Sequence, residues 1–484
     1  MKITRLYVNT SFKALAMSLP ALLFALLFAS PLQAGETLQV GSEKQAAIEA
    51  LTVRIQEAGH YPSITVLIDQ GGKTLYAKSL GMADLEQDRP AQADSAYAIG
   101  SITKSFTALA TLQLVEAGKI DLKQPVSAYL PDYQGPGAEV AVQHLLDHTS
   151  GIPNYTNDIP GLHEKLDRTD FSREEMVGFF DELPLQFEPG SMFNYTNSGY
   201  YLLGLIIEQV SGLDYYDYLR QNVFAPLGME RSFSGDSHDI IPWRVRGYDV
   251  GDGGLVNAAP WWYLVPYSAG SLIMTAGDVV KYRRGVFTSP AFSPRLRELL
   301  LTTHDMNDGT HNFYAQGGLI LSDFNGHRKI SHSGDIWGFA ANHAYYPDDD
   351  VTIVILSNLQ ADAPSVVSLE QKIARELFDI PQPEVLDLVV DEAELQRIQG
   401  DYRLHPFVFG PPVYGFVGQE GKLFLKFGGV EQEGPMIPLL SQGNGRFVFA
   451  PDDEWTFQFA DGDGKAASFE SSARDGKFYA KRMD

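Results

Sequence analysis

Apolar and polar positions along the chain follow two alternating periods. Residues Ser42 to Gln45 have the spacing of a capping box, and Ile48, Leu51 and Ile55 follow at helical intervals before Gly59, which predicts an amphipathic helix. Residues 61–70 and 73–80 are rich in β-formers and meet at Gly71-Gly72, the pattern of a hairpin. From about Tyr97 to Ile320 the period is helical, with helices predicted at 101–116 before Gly118, at 199–210 before Gly212, and behind Thr275 and Asp278 as an N-cap pair. Aperiodic stretches around Gly135-Pro136-Gly137, 152–160 and 249–266 separate them, and loops of that length are usually functional or linking. Strands return at 328–333, 338–346 and 351–357, the last two joined by Pro347-Asp348-Asp349-Asp350. Aspartate is a common turn former between strands, so this triplet reads as a turn rather than a metal site. Residues 365–378 form another amphipathic helix.

Pro381-Gln382-Pro383 marks a boundary. Beyond a short helix near 391–398, β-rich runs are punctuated by Gly400, Gly410, Gly418, Gly428-Gly429, Gly443, Asp452-Asp453, Gly462 and Asp475-Gly476. Such spacing predicts a small, lipocalin-like antiparallel β-barrel. The fold class is therefore α/β (α+β): an antiparallel sheet flanked by helices, with a mostly helical insertion and a C-terminal barrel. The expected division is a signal segment over 1–34, a catalytic domain over 35–380 and the barrel over 385–484.

The start of the chain supports that division. Lys2, Arg5 and Lys13 precede an apolar run over 14–29, and Ala34 is a small residue suited to cleavage. The run contains Ser18 and Pro20 and falls short of the roughly 20 residues of a membrane span. The expectation is export to the periplasm or the medium, with no stable membrane insertion after cleavage. Hydrophobic residues at 44% and charged residues at 20% are ordinary for a globular protein. The absence of cysteine excludes thiol nucleophiles, thiolate metal sites and disulfides. Residues 1–34 carry three basic and no acidic side chains, so their removal takes the formal charge from −24 to −27. A body this acidic repels phosphates, which excludes nucleic acid as a partner and leaves a small molecule or peptide. Nothing in the composition fixes the oligomeric state.

Three segments carry chemistry. In Gly100-Ser101-Ile102-Thr103-Lys104, Ser101 and Lys104 share a helix face. Ser101 lies in the first turn, where the helix dipole and unpaired N–H groups favour negative charge, and its hydroxyl needs a neighbouring base. In Tyr195-Thr196-Asn197, an extended backbone would point Tyr195 and Asn197 the same way, and a cation such as Lys104 would favour the phenolate. In His332-Ser333-Gly334-Asp335, Gly334 admits close approach to the backbone, and the N–H of Asp335 would pair with that of Ser101 as an oxyanion hole.

Singly these patterns are common. In this order they resemble the serine penicillin-recognising superfamily of class C β-lactamases, DD-peptidases, D-aminopeptidases and related esterases, whose signature is Ser-x-x-Lys, Tyr-x-Asn, then Lys/His-Ser/Thr-Gly. The stretches 145–151 and 267–271 also resemble that family, over about residues 42–380 in all. The resemblance implies Ser101 as nucleophile, Lys104 and Tyr195 as proton carriers, and Asn197, His332, Ser333, Gly334 and Asp335 as substrate-binding, with no cofactor and no metal. His332 stands where lactam-degrading members often have lysine, which implies a hydrolase of esters or of amides and peptides of the D-amino-acid or cell-wall type, DD-carboxypeptidase-like. A class C-like β-lactamase or a penicillin-binding protein without turnover is the alternative.

Four further features are left to the fold. Arg328 is about 13 Å of strand from His332, too far to help it directly. His144 and His148 are four apart but lack the glutamate of a metal motif. Trp261, Trp262 and Tyr263 are either an apolar wall of the cleft or ordinary loop packing. The glycine-rich turns of the barrel are expected to approach the cleft, and the barrel either holds a small ligand or is filled by its own side chains.

Overall fold

The computed structural model describes residues 38, 41–166, 171–236, 238–260, 262–360, 364–404, 407–408, 412–462, 464–473 and 476–483. The expected signal segment over 1–34 lies outside them. Among the described residues no helix is long and apolar enough to cross a membrane.

The described chain opens with helix α1 (Ser42–Ala58) and a hairpin of β1 (Ser63–Gln70) and β2 (Lys73–Asp84), followed by β3 (Arg89–Pro90). Gly71 and Gly72 turn the hairpin at φ 62° and 85°, a conformation that costs glycine no Cβ clash. The predicted capping box is a correction. The N-cap is Gly41, and Ser42 is already helical, because the Gln45 N–H donates to the Gly41 carbonyl and starts the turn one residue earlier.

The insertion supplies α2 (Thr103–Glu116), α3 (Val142–Leu146), α4 (Asn197–Ser211), α5 (Tyr267–Gly270) and α6 (Ala276–Thr288), with β4 (Phe193–Asn194) just before α4. Every residue of α2 from Thr103 to Leu112 is buried, so it is the core helix of the insertion. Then come β5 (Tyr314–Ala315), β6 (Leu319–Phe324), β7 (His327–Ile336), β8 (Phe339–Tyr346), β9 (Val351–Ser357) and α7 (Val366–Leu377). These strands and the hairpin form one antiparallel sheet in the order β5-β6-β7-β8-β9-β1-β2-β3, with Ile64 opposite Ser357. Alternation sorts its faces. Val354 and Leu356 join the core of the helical insertion, while Ile353 and Ile355 join the core under α1 and α7.

The acidic turn after β8 is structural, as expected. Asp348 accepts from Arg328 Nε at 2.8 Å, His327 Nδ1 lies 2.9 Å from Asp349, and Asp350 pairs with Arg284 at 3.3 Å. On the α7 side, Lys329 and Glu370 form a buried ion pair, and the Tyr346 hydroxyl donates to Glu370 Oε1 at 2.7 Å. Glu370→Leu would leave the Lys329 ammonium without its carboxylate in an apolar layer. Urea denaturation of that variant is expected to show a loss of about 3–5 kcal/mol, with Lys329→Met in addition restoring much of it.

Helix α8 (Glu392–Ile398), capped by Asp391, leads into the barrel. Its segments are β10 (Gly400–Leu404), β11 (Phe407–Val408), β12 (Val413–Gln419), β13 (Lys422–Phe427), β14 (Ile437–Gly443), β15 (Arg446–Phe449), β16 (Asp452–Phe459), β17 (Ser468–Ala473) and β18 (Gly476–Arg482). All but β11 form a closed eight-stranded antiparallel barrel, completed by β10 against β18. Its interior is packed with rings: Phe416 lies 4.9 Å from Phe459 and 5.3 Å from Phe469, and Tyr402 lies 5.4 Å from Phe469. The barrel is filled by its own side chains.

Among the described residues it meets the rest at α7, at β4 and at Phe313, whose ring lies 6.4 Å from that of Phe478. At α7, Ser365 Oγ donates to Asp452 at 2.8 Å, and Lys372 and Arg375 pair with Asp453 and Glu454. At the insertion, β11 pairs in parallel with β4, Phe407 opposite Phe193 and Val408 opposite Asn194. Of the glycine-rich turns expected to approach the cleft, Gly476 does so, a Cβ there standing 3.5 Å from Phe313, and β11 adds to the approach, whereas Gly429 lies against Asp401 within the barrel.

Candidate active site

Ser101 sits in a single 3-10 turn, Gly100–Ile102, that feeds α2. Gly100 has φ 50°, and a Cβ there would stand 2.8 Å from the Asp335 nitrogen. At Gly334 a Cβ would meet the Ile99 carbonyl oxygen at 2.0 Å and the Ser101 nitrogen at 3.0 Å. The two glycines therefore let the turn and β7 interleave backbone to backbone, which brings the Ser101 and Asp335 nitrogens into one locality. Gly334→Ala would force them apart. Its kcat is expected to fall on the order of 10²–10³-fold in steady-state assays, the cost of displacing an oxyanion donor.

Lys104 is fully buried in the first turn of α2. Its Nζ lies 3.0 Å from Ser101 Oγ, 2.7 Å from Asn197 Oδ1 and 2.8 Å from the Ala269 carbonyl oxygen. It also stands 4.8 Å over the Tyr195 ring and 5.6 Å over that of Tyr200. Burial drives the amine well below the usual lysine range.

Asn197 reaches Lys104 differently from the sequence expectation. The backbone is extended only to Thr196, the N-cap of α4, and Asn197 is the first helical residue. Its amide is oriented by a relay: Asn197 Nδ2 donates to Thr156 Oγ1 at 3.0 Å, and Thr156 Oγ1 donates to Asn154 Oδ1 at 2.9 Å. With the Thr156 proton committed to Asn154, its oxygen must accept, and the Asn197 oxygen is turned to the lysine.

The Tyr195 phenol is the second correction. Burial raises it above the usual range, the hydrogen bond with Ser101 draws it down, and the Asp335 charge raises it again. Desolvation outweighs the cation because Lys104 is itself driven toward its neutral form. The hydroxyl is therefore a proton donor at neutral pH, not a phenolate.

His332 is 4% exposed, with Nε2 2.9 Å from the Tyr314 hydroxyl and its ring 6.3 Å from that of Tyr195. It borders the site through Tyr314, where a lysine would extend a charge. Ser333 is half-buried and Gly334 buried on the same strand, whose pairing with β6 reaches Ser331. Arg328 is held by Asp348 at the other end of β7. Trp262 and Tyr263 pack on or near the main core, Tyr263 with its ring 5.8 Å from Tyr216, and Trp261 lies outside the described residues.

His144 and His148 serve separate partners. His144 Nδ1 meets Thr149 Oγ1 at 2.7 Å, and His148 Nδ1 accepts the Thr196 N–H at 3.1 Å. Among the described residues no cluster of three or more His, Asp or Glu is arranged to hold a metal ion. Sequence reasoning missed Asn154, Thr156, Ala269, Tyr314 and His148 as parts of the site. Two of the stretches that resembled the family, 145–151 and 267–271, contain His148 and Ala269 and were the available signal.

A family model described as Beta-lactamase matches residues 48–378. Penicillin-binding protein 4* of Bacillus subtilis (strain 168) is 27% identical over 367 residues, 70% of this chain and 79% of that protein. Protein flp of Staphylococcus aureus (strain MRSA252) is 26% identical over 330 residues, 66% of this chain and 64% of that protein's length. Of solved structures, the octameric penicillin-binding protein homologue from Pyrococcus abyssi superposes with TM-score 0.61 at 25% identity, covering 90% of this chain and 99% of that one. The D-amino acid amidase from Ochrobactrum anthropi SV3 complexed with L-phenylalanine amide gives TM-score 0.61 at 25% identity, covering 70% and 99%. With the family match spanning the sheet, the insertion and all three motifs, the chain belongs to the beta-lactamase family and is a serine hydrolase of the β-lactamase and penicillin-binding fold.

Proposed function

We propose that the protein hydrolyses amides or peptides of D-amino acids, or esters, through an acyl-enzyme on Ser101. The observation that carries this is the set of contacts around Lys104. Asn197 Oδ1 and the Ala269 carbonyl can only accept, so a neutral amine spends its two protons on them. Its lone pair is then left for the Ser101 hydroxyl at 3.0 Å. Ser101 passes its proton to Lys104 as Oγ attacks the carbonyl carbon, and the Ser101 and Asp335 N–H groups receive the oxyanion. Tyr195, kept protonated by burial, supplies the proton to the leaving group, and water then releases the acyl group. Lys104 and Tyr195 exchange protons as one coupled unit.

The substrate class rests on His332 and on the relatives. A buried imidazole held by Tyr314 offers no extended ammonium for a lactam carboxylate, and a D-amino acid amidase is among the structural neighbours. Export is part of the reading and rests on the basic, then apolar, start of the chain. Intact mass spectrometry after exposure to a fluorophosphonate is expected to show one adduct, on Ser101. Steady-state assays with D-phenylalanine amide, a p-nitrophenyl ester and a chromogenic cephalosporin are expected to rank the cephalosporin last. Sustained turnover of the cephalosporin above the other two would overturn the substrate class, and an adduct surviving Ser101→Ala would overturn the nucleophile.

A further inference from the structure

His148 follows the C-terminus of α3 and has φ 60°, a left-handed conformation that glycine or asparagine takes more readily. It is fully buried, and its ring is surrounded by Tyr195 at 4.2 Å, Tyr314 at 4.7 Å, Tyr200 at 5.1 Å and Phe193 at 5.6 Å. A packing role alone would be met by an apolar side chain on an ordinary backbone. The hydrogen bonds say more. The His148 carbonyl accepts the Asn194 N–H at 2.9 Å, and its Nδ1 accepts the Thr196 N–H at 3.1 Å. One residue thus grips the backbone on both sides of Tyr195 and lays its ring against the phenol ring.

We infer that His148 is a positioning residue for Tyr195, fixing the phenol against Ser101 by holding the Asn194 and Thr196 N–H groups through its carbonyl and Nδ1. The inference rests on the reading of Ser101 and Tyr195 as an acyl-transfer pair. Nδ1 accepts only while it carries no proton, so the neutral ring bears its hydrogen on Nε2. Burial keeps the imidazole neutral by holding it well below the usual histidine range. Nε2 has no hydrogen-bond partner among the described residues, so Nδ1 is the working atom of the ring.

The test separates the acceptor from the backbone shape. His148→Asn and His148→Gly both tolerate a positive φ, but only asparagine offers an oxygen near the place of Nδ1. His148→Gln and His148→Leu keep bulk without an acceptor at that place. With the ester or amide substrate, His148→Asn is expected to keep kcat within a few fold of wild type. The glycine, glutamine and leucine variants are expected to lose kcat on the order of 10²-fold, the scale of an ångström of misplacement, with KM within a few fold. Thermal melts identify which variants fold, and any folded one of the three suffices. Wild-type kcat in a folded variant without the acceptor, or His148→Asn falling as far as the others, would overturn the inference. Ser101→Ala run in parallel keeps the two ideas apart. If it is inactive while His148→Gly is not, only the His148 inference fails, whereas an active Ser101→Ala brings down the acyl-enzyme reading and this inference with it.

Discussion

Ser101→Ala is expected to lower kcat by on the order of 10⁴-fold or more and to abolish the fluorophosphonate adduct, with the melting temperature close to wild type. The size follows from the division of labour. In the proposed mechanism the oxyanion donors are backbone N–H groups, which survive the substitution, as does the proposed binding surface on β7. What is lost is the oxygen 3.0 Å from Lys104 Nζ, and with it the proposed covalent route. Ser101 is half-buried and its Cβ is retained, so the fold loses little. Residual hydrolysis would measure what the N–H pair and substrate binding achieve with water alone.

Lys104→Met is expected to cost on the order of 10³-fold in kcat, the usual weight of a positioned base, and to change the pH response of stability as well as of rate. Burial sets the folded amine well below its ordinary 10.5. Between the folded value and 10.5 the unfolded chain holds the proton that the folded one has released. Unfolding then takes up a proton, so the lysine makes stability rise with pH across that window, by up to about 1.4 kcal/mol per unit. The contribution is flat above the window, and flat below it at its most unfavourable. Urea melts from pH 7 to 10 are therefore expected to gain stability with pH more steeply in wild type than in Lys104→Met. Equal slopes in the two proteins would show that the amine is not depressed. In activity, kcat/KM of wild type is expected to rise with pH as Lys104 loses its proton.

What the sequence disclosed was whatever is written in local period and spacing. The Gly71-Gly72 hairpin, the strands around Pro347–Asp350, the α2 helix behind Ser101 and the short-strand barrel are all set by neighbours within a dozen residues. The three motifs were legible because each is a local string. The structure gathers Ser101, Lys104, Tyr195 and Asn197 directly, with Gly334 and Asp335 against the serine turn. Their electrostatics were not legible. Tyr195 was expected to favour the phenolate beside a charged Lys104, but the burial that shifts both groups comes from residues distant in the chain, Asn197 and Ala269 at Lys104 and His148 at Tyr195. Nor could spacing show that Thr156 and Asn154 turn the Asn197 amide, since 41 residues separate Thr156 from Asn197. His144 and His148 invited a metal reading through their interval alone, while their actual partners lie at Thr149 and Thr196.

The placement of β1 between β2 and β9, and of β11 beside β4, also sets the order in which strands can pair during synthesis. The first hairpin finds its second neighbour only when residues 351–357 have been made, since Ile64 pairs with Ser357. The strand leading to Tyr195 finds its neighbour later still, at Phe407 and Val408. Long-range strand pairing of this kind slows folding and leaves apolar edges open in the nascent chain. A ribosome that stops short of residue 408 therefore releases a polypeptide with every motif residue present and the tyrosine strand still without its neighbour.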